Sequence, residues 1–188
     1  MKTTGTEGLA GQKSRLAVAA IVYAKHGSAN NLLADFARDL RRRGWRVRGV
    51  IQDQLPPETG VKWRKVLVDL DDDQRFPISQ RLGPGSVSCS IDPGGVAAAS
   101  VALRRGLTED TDLVVANRFG ELEAGGGGLA SEMLAVMEQR LPLLTVVSEK
   151  YLEQWRRFTG GTATELPGQR EALEAWFASL DLAAPVAD

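Results

Sequence analysis

The chain has 188 residues, with 23 basic side chains against 24 acidic ones and a formal net charge of −1. This length suits one domain with a sizeable core, and the balanced charge argues against non-specific binding to nucleic acid or to a membrane surface. No apolar stretch reaches the roughly 18 residues of a membrane span, and the lone Cys89 excludes an internal disulfide. We therefore predict a cytoplasmic protein without a nucleic-acid or membrane partner; a homo-oligomer stays open.

The two ends of the chain differ in composition from its middle. Residues 1–14 are polar and lack a hydrophobic signal core, which predicts a disordered N-terminal tail. Residues 182–188 have the pattern of a frayed C-terminal tail. We therefore predict a single α/β domain over residues 15–181.

The stretch from Leu16 to Asp53 has the pattern of a strand, a helix and a second strand. Leu16–Tyr23 is a continuous apolar run, as expected of a strand that is buried on both faces. Apolar residues then recur at helical spacing until Gly44, and a second apolar strand begins at Val47. This arrangement is a βαβ crossover, in which both strands run in parallel. We expect the first strand to be central in the sheet, with helices on both faces.

The rest of the chain continues this alternation. A strand at Trp63–Leu70, a turn of aspartates and a proline-containing return at Arg75–Ser79 predict an inserted β-hairpin with an edge strand. The later elements are predicted as a helix over Pro93–Arg105 that ends at Gly106, a strand over Leu113–Ala116, a helix over Leu129–Gln139, a strand over Leu141–Val147, and helices over Glu149–Phe158 and Gly168–Leu180. The pattern predicts an α/β fold, a three-layer sandwich with a mainly parallel sheet.

The loop after the first strand is the leading candidate for a binding site, because open α/β sheets bind ligands at the carboxyl ends of their strands. A helix N-terminus in that position also favours anions. The phosphate-loop pattern G-x-x-x-x-G-K-[ST] is absent, since the lysine precedes the only glycine of the loop. The alternatives are a site for phosphate or another tetrahedral oxyanion, or an ordinary capped helix start. The candidate ligand-binding residues are Lys25, His26, Gly27, Ser28 and Asn30.

Two further segments are candidate walls of the same site. Asn117, Arg118, Glu121 and Glu123 follow a buried strand, where polar residues either serve function or cap the next helix. The loop GPGSVSC places Ser86 and Ser88 either in a third wall or in a simple turn of the chain. We predict no metal site, since no cluster of histidine and cysteine is present, and we assign no catalytic residue.

The segment NRFGELEAGGGGL resembles a bacterial family of unknown function that is known as nucleoside-triphosphatase-like. The segments LVDLDDDQRFPISQRLGPGSVSCSIDPGG and LTVVSEKYLEQWRRFTGG extend the resemblance over nearly the whole chain. It implies a fold like that of the P-loop nucleoside-triphosphatases, in which a strand ends in Asp-Glu-x-Gly and a further Glu follows. The family's genes lie near molybdate-uptake genes in some bacteria, which implies a tie to molybdenum handling.

Carried over by position, Tyr23–Ser28 matches the phosphate loop and Glu123 matches the later acid of these enzymes. Asn117, Arg118 and Gly120 fall on the Asp-Glu-x-Gly positions. Asn117 thus replaces the magnesium-associated Asp, and Arg118 replaces the Glu that activates water. These departures favour binding over hydrolysis, because they remove metal anchoring and base positioning.

We therefore expect a P-loop-like protein that binds a nucleotide or a small oxyanion, with molybdate as one candidate, in an accessory or sensing role. Two alternatives stay open. One is an active nucleoside-triphosphatase with an atypical site, and the other is a non-catalytic protein-interaction module. The sequence identifies a small anionic ligand as the expected partner but no cofactor.

Overall fold

The computed structural model describes residues 16–24, 28–55, 64–79, 91–108 and 110–185. Within these residues, seven strands form one sheet of the order β4-β3-β2-β5-β6-β1-β7. The five strands β2, β5, β6, β1 and β7 pair in parallel. The other two strands, β3 and β4, are added in antiparallel orientation at the β2 edge. The strands are β1 (Val18–Tyr23), β2 (Val47–Leu55), β3 (Arg64–Asp69), β4 (Arg75–Pro77), β5 (Leu113–Val115), β6 (Leu143–Ser148) and β7 (Thr164–Leu166).

Helices cover both faces of this sheet. One hydrophobic cluster packs α1 and α6 against one face, and a second cluster packs α2, α4 and α5 against the other. The helices are α1 (Ser28–Arg42), α2 (Pro93–Thr108), α3 (Glu121–Ala124), α4 (Ala130–Glu138), α5 (Leu152–Phe158) and α6 (Arg170–Ala178). The predicted three-layer α/β sandwich with a mainly parallel sheet and an inserted hairpin is therefore confirmed. No helix in the described part of the chain is long and apolar enough to cross a bilayer.

The strand β1 is buried on both faces, as its apolar sequence predicts. Ala19 and Ile21 contribute to the core on the side of α1, and Val18 and Ala20 contribute to the opposite core. It pairs with β6 on one side and with β7 on the other, so it is an interior strand but lies next to an edge. The strands β1 and β2 run in parallel, yet β5 and β6 lie between them. The crossover through α1 therefore spans two intervening strands.

Several local predictions were wrong for identifiable reasons. The helix α2 does not end at Gly106 but continues to Thr108. Gly106 is buried against the sheet, where a Cβ would lie 3.3 Å from Val114 Cγ2, so this glycine permits close helix–strand packing. The predicted helix from Glu149 begins instead as a 3-10 turn over Glu149–Tyr151. The elements β7 and α3 were not predicted, since three or four residues are too few to show a period.

The chain ends bear on the predicted domain boundaries. Residues 1–14 lie outside the described part, so the N-terminal tail stays a prediction. At the other end, Leu182 packs partly buried against the core that contains α1 and α6. Pro185 approaches Gly44, where a Cβ would meet Pro185 Cβ at 3.2 Å. The boundaries of the single domain remain predictions.

Candidate functional site

A cavity of about 490 Å³ opens where the carboxyl ends of three parallel strands meet. Tyr23 ends β1, Asn117 follows β5 by two residues, and Ser148 ends β6; all three line the cavity. In open α/β sheets this edge is the usual position of ligand sites, because the loops that follow parallel strands converge there. The cavity is therefore our candidate functional site.

The cavity has a polar side and an apolar side. The polar side comes from the segments that follow β5 and β6, which include Arg118, Glu121 and Lys150. The apolar side comes from the hairpin, from the start of α2 and from the residue that precedes α4. Its residues include Leu67, Ile78, Ile91, Val96 and Leu129. This two-sided lining is typical of sites for small molecules, which combine apolar walls with a few placed polar groups.

Asn117 and Arg118 carry buried polar atoms that have no hydrogen-bond partner among the described residues. Asn117 is only 7% exposed, and its unpartnered atom is the acceptor Oδ1. In Arg118 the unpartnered atom is the donor Nε. An unmade hydrogen bond of a buried group costs about 1–3 kcal/mol. A ligand that supplied these bonds would recover that free energy, which makes the pair the strongest indication of a binding site.

The backbone around this pair is held firmly. The Phe119 N–H donates to the Val146 carbonyl at 3.0 Å, and Phe119 forms a parallel bridge with Val147 of β6. The Phe119 ring packs against Trp155 at 5.2 Å and against Phe158 at 5.0 Å between centroids. Because Phe119 is fixed on both its backbone and its ring, the preceding Arg118 is positioned by rigid elements.

The Glu123 carboxylate holds together the two ends of the loop that follows Arg118, from Gly120 to Leu129. Its Oε2 accepts the Gly120 N–H at 3.0 Å, and its Oε1 accepts the Leu129 N–H at 3.1 Å. Glu123 is buried, and the contacts of its carboxylate among the described residues are with backbone N–H groups rather than with Arg118. Both of its oxygens are thus engaged by backbone donors, although the residue lies at the cavity wall.

The structure brings together only some of the predicted site residues. Asn117, Arg118, Glu121 and Glu123 all line the cavity. Ser28 and Asn30 lie in the first turn of α1, so neither precedes that helix as a cap, and neither lines the cavity. Asn30 Oδ1 is buried without a partner among the described residues. The remaining predicted site residues lie outside the described part of the chain, namely Lys25, His26, Gly27, Ser86 and Ser88.

Lys150 is a cavity residue that the sequence analysis missed. It belongs to the 3-10 turn after β6, which Ser148 caps by accepting the Lys150 N–H at 3.4 Å. Its Nζ lies 4.9 Å from the centroid of the Tyr151 ring. The interaction with Tyr151 raises the pKa of Lys150 above its ordinary value, and the charge of Glu121 adds to this effect. The signal was present in the sequence, since Lys150 follows a buried strand as Arg118 does.

Two solved structures share this fold. The solution structure of a human cancer-related nucleoside triphosphatase superposes with a TM-score of 0.57 and 14% identity, covering 87% of this chain and 95% of that chain. The crystal structure of THEP1 from the hyperthermophile Aquifex aeolicus superposes with a TM-score of 0.59 and 11% identity. This match covers 86% of this chain and 95% of that chain. At these identities the likeness establishes the fold alone, and it confirms the predicted α/β fold.

The sequence is also similar to part of a longer protein. It is 40% identical over 160 residues to the molybdenum import ATP-binding protein ModC 2 of Bradyrhizobium diazoefficiens. The match covers 85% of this chain but 18% of that protein, so the chain spans less than a fifth of its relative's length. A family model described as "Protein of unknown function (DUF2478)" matches residues 18–176, and the chain therefore belongs to this family.

Proposed function

We propose that the protein binds a small anionic ligand, a nucleotide or a tetrahedral oxyanion such as molybdate, in the cavity at the carboxyl edge of the sheet. The observation that carries the proposal is the buried, unpartnered Nε of Arg118 in the cavity wall. A guanidinium has a permanent positive charge and donors arranged in a planar fork that suits phosphate and other oxyanions. A partly buried guanidinium with an unused donor is therefore suited to an anion.

The charges around the cavity support this proposal. Arg118 and Lys150 both line it and emerge from neighbouring parallel strands, β5 and β6. The oxygens of Glu123 accept backbone N–H groups rather than hydrogen bonds from Arg118. Glu121 also lines the cavity and its charge acts on Lys150, and both of these residues are exposed. Arg118 is the half-buried cation of this wall, and a bound anion would compensate its charge.

The relatives support the same class of ligand. The partial relative is named for molybdenum import and ATP binding, and one structural neighbour is named as a nucleoside triphosphatase. These names favour a nucleotide or molybdate over other anions. We include an accessory or sensing role in this proposal.

We also propose that binding is not followed by efficient hydrolysis. Asn117 offers a neutral amide where an anionic magnesium ligand is expected, and Arg118 cannot accept a proton from water. Glu123 has both oxygens engaged, so it is poorly placed to act as a base. These observations weigh against the alternative of an active nucleoside-triphosphatase. The cavity and its unpartnered donor weigh against the alternative of a pure interaction module.

A panel of ligands tests the proposal. Thermal unfolding is followed with ATP, GTP, molybdate, tungstate, sulfate and phosphate, each against a chloride control of equal ionic strength. We expect at least one anion to raise the melting temperature in a concentration-dependent manner, because a ligand that binds only the native state stabilises it. The shift should be lost in Arg118→Gln and retained in Arg157→Gln, an exposed arginine of α5 outside the cavity. No shift with any anion, or equal shifts in both variants, would contradict the proposal.

A further inference from the structure

The outward faces of the helices differ between the two sides of the sheet. On α1, every exposed side chain is polar or charged, namely Ser28, Asn31, Asp35, Arg38 and Arg42. A helix that covers a sheet normally has such a polar face toward solvent, opposite the apolar stripe that packs on the core. The first half of α2, on the other side of the sheet, departs from this rule.

The outer face of α2, by which we mean its exposed residues up to Val101, is free of polar side chains. These residues are Pro93, Gly94, Ala97, Ala98 and Val101. Val101 is 39% exposed, and Leu134 of α4, which packs beside α2, is 43% exposed. Together with Ile91, directly before α2, these are the large hydrophobic residues that are exposed in the described part of the chain. Grouped apolar exposure of this kind marks an interaction surface.

The charges at the two ends of α2 make its outer face complementary to a second copy of itself. Asp92 directly precedes the helix, and Arg104 lies near its end with 59% of its side chain exposed. Ala98 is six residues from each of them. An antiparallel pair of α2 helices that crosses at Ala98 therefore places Arg104 of each copy opposite Asp92 of the other. Complementary charges fix the orientation of an interface in this way.

These two charged groups keep capacity for such a contact. Arg104 donates through Nη1 to Glu132 of α4 at 3.0 Å, and a guanidinium has further donors on its other nitrogens. Asp92 accepts the Gly94 N–H at its Oδ1 at 2.9 Å, and a carboxylate has a second oxygen that can accept. The contacts within one copy are thus compatible with contacts to another.

The shape of the outer face is complementary in the same arrangement. Ala97 and Ala98 at the crossing point let the two helix axes approach to about 8 Å, the short end of the usual range. Val101, three residues beyond Ala98, then lies opposite Gly95 and beside Gly94, where no side chain takes up the space. Because a twofold axis relates the two copies, each of these contacts is made twice.

We infer that the protein forms a twofold-symmetric dimer in which the outer faces of α2 pack against each other in antiparallel orientation, with Ala98 at the centre. The pairing removes the apolar outer face from water, which is the main favourable term in most protein association. Ala97, Ala98 and Val101 do not line the cavity, so the dimer is independent of the proposed anion binding.

Sedimentation velocity of the full chain over a wide range of concentrations tests the dimer. We expect a species of twice the 20.3 kDa mass of the chain. Ala98→Glu places two like charges at the crossing point and should yield the monomer. The matched control is Ala175→Glu, at an exposed alanine of α6 on the other side of the sheet, which should remain a dimer. A wild type that is monomeric throughout, or an Ala98→Glu protein that stays dimeric, would overturn the inference.

A disulfide test covers the case in which Ala98→Glu does not fold. Cys89→Ala removes the single cysteine of the chain, and Ala98→Cys then places one thiol of each copy at the symmetry axis. Mild oxidation should link the two copies, because a disulfide spans Cα atoms that are about 4.4–6.8 Å apart. Ala175→Cys in the same background should stay unlinked. Equal extents of linkage in the two variants would show that the copies do not cross at Ala98.

Discussion

Glu123 and Gly128 fit together so closely that a side chain at position 128 would displace the Glu123 carboxylate. A Cβ on Gly128 would lie 2.1 Å from Glu123 Oε1, and the glycine has a φ of +59°. This approach lets the carboxylate accept the Leu129 N–H at 3.1 Å while it also accepts the Gly120 N–H at 3.0 Å. The contact closes the loop that begins at the cavity wall.

The first prediction concerns this closure. Glu123→Gln replaces one oxygen by an NH₂ group that faces a backbone donor, and it should lower the free energy of unfolding by about 1–3 kcal/mol. Urea denaturation measures the change. Glu121→Gln, at an exposed position of the same short helix, serves as the control and should stay within about 0.5 kcal/mol of the wild type. Equal effects of the two substitutions would show that the buried hydrogen bonds do not support the loop.

The second prediction concerns the aromatic cluster beneath the cavity. Trp155 is fully buried against Phe119 and Phe158. Trp155→Ala should therefore cost about 3–5 kcal/mol of stability. Trp155→Phe should cost less than half as much, because it keeps an aromatic contact and removes the unpartnered Nε1 donor. Chemical denaturation of both variants checks this order, and an equal loss in both would contradict it.

The third prediction concerns the pH dependence of stability. Arg156 of α5 binds Glu165 of β7 through two hydrogen bonds of 2.7 and 2.9 Å, which hold the pKa of the Glu165 carboxyl below its ordinary value. The folded protein thus takes up this proton less readily than the unfolded chain. The stabilisation is present above the unfolded pKa, about 4.3 for a glutamate, and is lost as the pH falls through the lower folded pKa.

Glu165→Gln should accordingly lower the urea midpoint at pH 7 and bring it close to that of the wild type near pH 3. Glu138→Gln removes an exposed carboxylate at the end of α4 and should show a smaller difference between the two pH values. A deficit of Glu165→Gln that is constant from pH 7 to pH 3 would be evidence against the ionic contribution.

The fourth prediction concerns hydrolysis. The resemblance implies that Asn117 and Arg118 stand at the positions of two acids of the P-loop nucleoside-triphosphatases, so we expect magnesium-dependent turnover of ATP or GTP below about 1 per second. Phosphate release from the purified protein measures this rate. Faster turnover that disappears in Arg118→Gln and persists in the exposed control Arg157→Gln would assign the activity to this chain and overturn the proposed lack of efficient hydrolysis.

The sequence predicted the elements whose patterns are long or unbroken. The apolar run of β1 and the helical spacing of α1 identified a buried parallel strand and its crossover helix, and both are present. The strand β7 has only Leu166 buried among its three residues, so no periodic pattern distinguishes it from a loop. Gly106 indicated a helix end from sequence, but tight packing against Val114 is a tertiary cause that local patterns do not reveal.

The site was predictable only in part for similar reasons. Arg118 was predicted as a site residue because it closely follows a buried strand, and the same rule would have selected Lys150 after β6; both line the cavity. The apolar wall was not predictable, since Leu67 and Val96 become neighbours only through the strand order and the packing of α2. The proposed contributions of Lys25 and His26 stay predictions, because these residues lie outside the described part of the chain.

The central claim is that Arg118 binds an anion in the cavity, and charge reversal at this residue tests it most directly. Calorimetric titration with the anion that gives the largest thermal shift is carried out on the wild type, Arg118→Glu and the exposed control Arg157→Glu. We predict that Arg118→Glu weakens binding at least tenfold, or about 1.4 kcal/mol, while Arg157→Glu binds as the wild type does. Unchanged affinity in a folded Arg118→Glu protein would contradict the claim.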